Sequence, residues 1–277
     1  MKKARYFFEL SRLGNVAITG FSVLIGTGGG ISSANLAKII GTVASAMLIA
    51  AGGNAHNDYY DRAIDAINRP ERPIPSGRLS PRAAQIFSFI TYSLGIILGW
   101  IIGPELGIMA TLVALMLWLY AAKGKMMGLA GNILIASICA LAFIYGGLAA
   151  KNPVLAIFPA GFAFLMHLAR EIIKDVQDIT GDKAAGARTV AITGGIPEAL
   201  KYSAISLMLL VTVSPVPYLM GVYNVRYLIA VILGVDLVIL PVIFRLLRDP
   251  LGVDCAKTSF ILKIDMLAGL MAIVLGL

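Results

Sequence analysis

An all-α, polytopic membrane protein with nine transmembrane helices is the fold class this sequence predicts, and three observations predict it. Charged residues make up 14% of the 277 positions and hydrophobic ones 58%, at a mean hydropathy of +0.86, whereas a soluble domain of this size keeps about a quarter of its residues charged. Nine stretches are long and apolar enough to cross a bilayer, which takes about 20 mostly apolar residues. The basic residues fall in alternate loops, as helices that cross and recross a membrane require.

In chain order, the first span is expected at 13–31, after the basic segment Met1–Arg12. No small-residue cleavage site follows that segment, so it reads as a flank and not as a signal peptide. The second, 36–56, leads into an acidic cluster. The third, 83–103, follows a loop carrying Arg62, Arg69, Arg72, Arg78 and Arg82. The fourth, 105–122, precedes Lys123 and Lys125. The fifth, 129–150, holds small and polar residues from Gly131-Asn132 to Ser137, consistent with close helix packing. The sixth, 153–173, leads into a second acidic cluster, and spans at 200–222, 226–247 and 259–277 complete a single domain over 1–277. Nineteen of the 23 Lys and Arg residues, Lys2 and Lys3 among them, lie before the first span or after the second, fourth, sixth and eighth. Excess Lys and Arg mark the cytoplasmic face, so the N-terminus is expected in the cytoplasm and the C-terminus outside. A net charge of +8 in so apolar a chain points to an anionic lipid surface or a phosphorylated substrate; neither nucleic acid nor an obligatory protein partner is called for. Two cysteines, Cys139 and Cys255, imply no disulfide framework.

Acidic residues crowd that same face. Asn54, Asn57, Asp58, Asp61 and Asp65 continue from the second span at spacings of three, four and seven, which on a helix gathers them within an arc of about 100°. Glu171, Asp175, Asp178 and Asp182 do the same beyond the sixth span, provided the helix survives Gly181. Like charges side by side on a helix repel, so two such rows near lipid need cations to offset them. Hard oxygen ligands suit Mg²⁺ or Ca²⁺ and not zinc, and Mg²⁺ is commonly shared between carboxylates and substrate phosphates. Salt bridges to Arg62, Arg69, Arg72, Lys174 and Lys183 on a solvated face are the plainer alternative. His56 and His167, each alone near a span end, read as hydrogen-bonded packing residues. Gly26-Thr-Gly-Gly-Gly30 lacks the Lys-Ser/Thr and the preceding strand of a phosphate loop.

Asn57-Asp58-x-x-Asp61-x-x-x-Asp65 followed by Asn68-Arg-Pro-Glu-Arg72-Pro-Ile-Pro-Ser-Gly77, and Asp175-x-x-Asp178-x-x-x-Asp182 followed by Gly186-Ala-Arg-Thr189, resemble the two aspartate-rich motifs of the UbiA superfamily of intramembrane prenyltransferases. Tyr120-Ala-Ala-Lys123-Gly-Lys125 resembles that family's Tyr/Lys loop. The resemblance spans essentially the whole chain and departs from the pattern at Arg188, where Lys is expected. It implies helices around a central cavity open toward the cytoplasmic side and lipid. It implies Mg²⁺ held by Asn57, Asp58, Asp61, Asp65, Asp175, Asp178 and Asp182. Asn54, Arg69, Arg72, Lys123, Lys125, Lys174, Lys183 and Arg188 would contact diphosphate or an acceptor phosphate, and Asp61, Asp65, Asp178, Asp182 and Tyr120 would take part in catalysis. Within the superfamily the short length and motif wording resemble the archaeal ether-lipid branch. That implies geranylgeranyl diphosphate as donor and geranylgeranylglyceryl phosphate as acceptor, drawn from membrane lipid. Prenylation of an aromatic ring, and ion-coupled transport, stand as alternatives.

Overall fold

The computed structural model describes residues 2–277, with side chains from Arg5 onward, so the charges of Lys2 and Lys3 lie outside the described side chains. Fifteen α-helices account for most of the chain, and among the described residues there is no strand. In lipid every backbone polar group must be satisfied within its own segment, which leaves helices as the spanning element here.

A helix stands at each of the nine expected places. A short α1 (Lys2–Ser11) bends by 52° into α2 (Leu13–Gly26) at Arg12. Then come α3 (Leu36–Tyr60), α4 (Arg62–Asn68), α5 (Pro81–Ile102), α6 (Pro104–Lys123) and α7 (Leu129–Ala149). The second half holds α8 (Ile157–Gln177), α9 (Ile179–Ala184), α10 (Val190–Thr193), α11 (Ile196–Val213), α12 (Val216–Leu219), α13 (Val225–Val231), α14 (Leu237–Arg248) and α15 (Cys255–Gly276). A π-helical stretch, Ile232–Asp236, joins α13 to α14 into one span. Among the described residues, seven helices are long and apolar enough to cross a membrane, and eight if bent α1–α2 counts as one crossing. The ninth place, α8, puts Arg170, Glu171, Lys174 and Asp175 into its last two turns, and that charge lowers its apolarity.

Two structural features hold the bundle together. Small residues let backbones touch: a Cβ on Gly26 would lie 2.0 Å from the Phe143 carbonyl oxygen, and one on Gly146 would lie 1.8 Å from that of Val23, so α2 and α7 pack through reciprocal glycines. Hydroxyls donate across helices to backbone carbonyls: Ser45 to Gly95 at 2.7 Å and Ser88 to Gly52 at 2.9 Å between α3 and α5, Ser203 to Ala169 at 2.9 Å and Ser206 to Leu165 at 2.8 Å between α11 and α8. Without a hydrophobic drive between helices in lipid, close packing and such bonds carry the association. Large apolar side chains such as Ile101, Leu219 and Phe244 point outward, as a lipid-facing surface requires. Two acids lie inside spans. Asp236 accepts from Ser214 at 2.9 Å, whereas both oxygens of buried Asp265 lack a partner among the described residues and face a small cavity of about 70 Å³.

The expectation for His56 is corrected in part. It packs among the rings of Tyr59, Tyr60, Phe89 and Tyr92, but neither ring nitrogen has a hydrogen-bond partner among the described residues. Burial among these rings packs the imidazole and leaves both of its nitrogens unpaired among the described residues.

Replacing Gly146 with Ala, which forces α2 and α7 apart, should destabilise the protein by about 1–3 kcal/mol. Gly161, where an added Cβ meets nothing within 4 Å, should tolerate Ala with little change. Detergent-solubilised thermal unfolding of the two variants checks the contrast, and equal midpoints would contradict it.

Candidate active site

Both acidic rows lie at one end of the bundle, where α3 and α8 finish. The continuous helices expected through Asp65 and Asp182 are each interrupted once, at equivalent places. Helix α3 ends at Tyr60, Asp61 occupies the junction and α4 begins at Arg62. Helix α8 ends at Gln177, Asp178 occupies the junction and α9 begins at Ile179. The second helix therefore breaks at Asp178, and it continues through Gly181, where the sequence had put the break in question. Each junction separates a spanning helix from a short one that follows it.

The two short helices then meet. A Cβ on Gly181 would lie 2.5 Å from the Asn68 amide nitrogen, so only glycine admits this approach. Asn68 fastens the contact, donating to the Asp178 carbonyl at 3.0 Å and accepting from the Gly181 amide at 3.1 Å. Asn68 stands inside the quoted motif but drew no role from the sequence, because an amide that bonds only backbone leaves no signature in spacing.

Cations lie between the rows. Arg69 makes a two-pronged bond to Asp178, at 2.9 and 2.6 Å, and stands 3.8 Å from Asp65. Lys125, brought in by a 3₁₀ turn after α6, donates to Asp182 at 2.7 Å and lies 3.7 Å from Asp61. Arg72 binds Asp65 at 2.6 Å and Asp58 at 3.3 Å. Arg12 also pairs with Asp58, from a left-handed backbone with φ of 52° at the α1–α2 bend; such conformations are costly for a non-glycine residue and gather at functional sites. The sequence had counted Arg12 only toward topology. Asn57 donates to Asp61 at 2.7 Å, Asn132 to Asp175 at 2.9 Å and Asn54 to the Ser11 carbonyl at 2.8 Å. Lys174 bonds Glu171 at 2.9 and 2.7 Å. Lys123, Lys183 and Arg188 are exposed and reach no carboxylate among the described residues. Arg188 serves through its backbone, whose amide donates to the Lys125 carbonyl at 2.8 Å and fixes that turn.

Burial sets the electrostatics. Asp61, Asp65 and Asp182 are each pushed above the ordinary carboxylate value, chiefly by desolvation and further by neighbouring acids. Lys125 opposes the shift at Asp61 and Asp182, and Arg72 opposes it at Asp65. Among the described residues no three acids already converge on a point fit for a metal ion, because Arg69 and Lys125 stand between the rows. The donor set nonetheless fits Mg²⁺. It is all hard oxygen, and Asp182 Oδ2 and Asn132 Oδ1 are buried without partners.

Behind this polar end runs a cavity of about 870 Å³. Arg12, Asn54, Asn57, Arg69, Arg72 and Tyr120 line one part of it, and Ile49, Val113, Leu117, Ile138 and Ala142 line another. An ionic head and an apolar body in one space match a charged lipid.

A many-span bundle with such a site is a membrane enzyme of lipid-like substrates. The chain belongs to the UbiA prenyltransferase family, whose description matches residues 15–264. It is 33% identical to the digeranylgeranylglyceryl phosphate synthase of Methanopyrus kandleri over 99% of both chains, and 36% identical to that of Saccharolobus solfataricus over 98% of this chain and 96% of the other. A solved structure of digeranylgeranylglyceryl phosphate synthase superposes with a TM-score of 0.78 at 32% identity, covering 100% of this chain and 99% of that one. A UbiA homologue from Archaeoglobus fulgidus bound to GPP and Mg²⁺ shares the fold, with a TM-score of 0.67 at 19% identity over 97% of this chain and 99% of that one.

Replacing Gly181 with Ala should push α9 off α4 and misplace Asp178 and Asp182. Prenyl transfer should fall on the order of a hundredfold, the scale of a misplacement of about 1 Å, with the far-UV circular dichroism unchanged. Wild-type turnover in this variant would show the short-helix contact to be dispensable.

Proposed function

We propose that this protein is a digeranylgeranylglyceryl phosphate synthase. It transfers a geranylgeranyl group from geranylgeranyl diphosphate to the free hydroxyl of geranylgeranylglyceryl phosphate, as a single domain over 1–277 in the cell membrane. The observation that carries the reading is the pair of aspartate rows facing each other across Arg69 and Lys125 at the mouth of an apolar cavity. The relatives named above support the acceptor. The alternation of basic loops supports a cytoplasmic N-terminus and a site on the cytoplasmic side.

Asp58, Asp61, Asp65, Asp175, Asp178 and Asp182, with Asn57, are the groups that would hold Mg²⁺. The homologue solved with GPP and Mg²⁺ in this fold supports a divalent ion. Bound there, the ion supplies Lewis-acid stabilisation of charge on the diphosphate. Arg69 and Lys125, which bridge the rows without substrate, are placed to turn from Asp178 and Asp182 onto diphosphate oxygens. In the reaction the allylic C–O bond breaks, its electron pair leaves with the diphosphate, and the acceptor oxygen forms the new ether bond. The apolar walls keep water from the allylic cation. Asp65 is held by Arg72 and Arg69, and Tyr120, a neutral phenol on the cavity wall, donates more readily than it accepts. The acceptor proton therefore passes to the departing diphosphate, the base that lies beside it.

Asp61→Ala and Asp178→Ala should each lower turnover with geranylgeranyl diphosphate by a factor on the order of a thousand, measured as ether-lipid product at saturating Mg²⁺; near-normal transfer in both would end the clamp reading. Chelation by EDTA should abolish diphosphate release, and added Mg²⁺ should restore it. Acids whose pKa stands above the free value lose charge sooner as pH falls. The acid limb of the rate profile should therefore lie above the range of about 4 where a free Asp titrates. Raising Mg²⁺ should move that limb to lower pH, because metal and proton compete for the same oxygens. A limb insensitive to Mg²⁺ would separate the acids from the metal.

A further inference from the structure

Beyond the aspartate rows, the cavity wall carries a second group of cations, which a single acid, Glu171, balances only in part. Arg170 and Lys174 stand one turn apart on α8, and Ser259 and Lys263 one turn apart on α15. The Arg170 Nε donates to the Ser259 carbonyl at 3.2 Å, which ties the two helices at one level and brings their basic side chains to the same wall, together with Asn15 and Glu171. Arg12, Arg69 and Arg72 are taken by the aspartate rows, and Glu9 by Arg78. Glu171 alone pairs with the others; Asp175, beside Lys174, accepts from Asn132 and makes no ion pair among the described residues. Lys174 binds it at 2.7 Å and Arg170 approaches it at 3.6 Å. Lys263, well inside the last span, reaches no carboxylate among the described residues and donates only to Asn15, at 3.1 Å. Three positive charges against one negative leave a surplus of two. A charge inside a membrane span is costly to keep and faces a partner or a polar cavity. Among the described residues that partner is missing.

We propose that Arg170, Lys174 and Lys263, with Asn15, form a second anion site that receives the phosphate monoester of the acceptor lipid, distinct from the diphosphate cations Arg69, Arg72 and Lys125. The proposal rests on the acceptor assignment above and names the residues that select it. A phosphate monoester carries about two negative charges near neutral pH, which matches the surplus. Arg170 offers a forked donor suited to phosphate oxygens, and Lys174 and Lys263 offer point charges. Anchoring the phosphate on α8 and α15 would leave the glycerol hydroxyl free to reach toward the diphosphate end of the same cavity.

The test uses the full-length protein in detergent or vesicles, with geranylgeranyl diphosphate as donor and, as acceptor, either geranylgeranylglyceryl phosphate or its dephosphorylated alcohol. Wild type should prefer the phosphorylated acceptor. Lys263→Met and Arg170→Gln should each raise its KM about tenfold, the loss of one charge-assisted hydrogen bond. The donor KM should stay in place, and the preference over the alcohol should shrink by the same factor. Lys263→Arg should keep most of the preference. Lys263→Met should also unfold no sooner than wild type, because it removes an unpaired charge from a span, whereas loss of a packing residue would lower the midpoint. An unchanged preference in Lys263→Met, or an equal rise in the donor KM, would overturn the second site while leaving the synthase assignment standing. Efficient transfer by wild type to an aromatic acceptor but not to either glycerol lipid would overturn the assignment itself, and the second site with it.

Discussion

Two rows of like charge bridged by the same two cations in a poorly solvated place form the constraint on which this architecture turns. At an effective dielectric of about 20, two like charges 4 Å apart repel by roughly 4 kcal/mol, and each row holds several. The protein meets this in three ways. It raises the proton affinity of Asp61, Asp65 and Asp182. It interposes Arg69, Arg72, Lys125 and Arg12. It supplies amide donors from Asn57 and Asn132. The same constraint accounts for acids that are engaged with cations here and are also the groups proposed to hold metal. On that proposal a diphosphate with its metals would bring both charges at once, and the protein's own cations would turn to phosphate as the carboxylates turn to metal.

The bundle's geometry makes that exchange possible. The junctions at Asp61 and Asp178 start α4 and α9 as separate short helices, and Gly181 lets them touch through Asn68. Rigid spanning helices thus deliver the two rows, and two short helices set the distance between them. The rows are cross-linked by Asn68 to backbone atoms, so side-chain partners can change without loosening the frame.

The helices and both acidic rows were legible in the sequence because apolar length and charge periodicity are local properties. The helix interruptions were not. Asp61 and Asp178 are ordinary members of an i, i+3, i+4 pattern, and the bend depends on what the following turn packs against. Arg12 was hidden for a related reason: a basic residue beside a first span carries a topology signal whatever else it does, and its contact with Asp58 spans 46 positions. Lys123, Lys183 and Arg188 show the converse. Motif position suggested contact with phosphate, yet the turn that brings Lys125 inward leaves Lys123 in solvent. Spacing says which residues are near in the chain, while inward or outward direction is decided by tertiary packing.

Lys263 separates the two kinds of basic residue. Positive charge in the connecting loops is explained by membrane orientation alone, so no single loop cation argues for a ligand. A lysine well inside the last span has no such explanation, since orientation is set by charge outside the hydrocarbon. Among the described residues it also has no carboxylate to neutralise it, unlike Lys125, which has two within 4 Å. On the proposed reading an anion offsets that cost during function, and Arg69, Arg72 and Lys125 are assigned to the diphosphate. An anion of a second substrate meets the requirement without competing for the first. The same placement gives the cavity two charged anchor points and one apolar body, which is the arrangement needed to hold two amphiphiles with their reacting ends together.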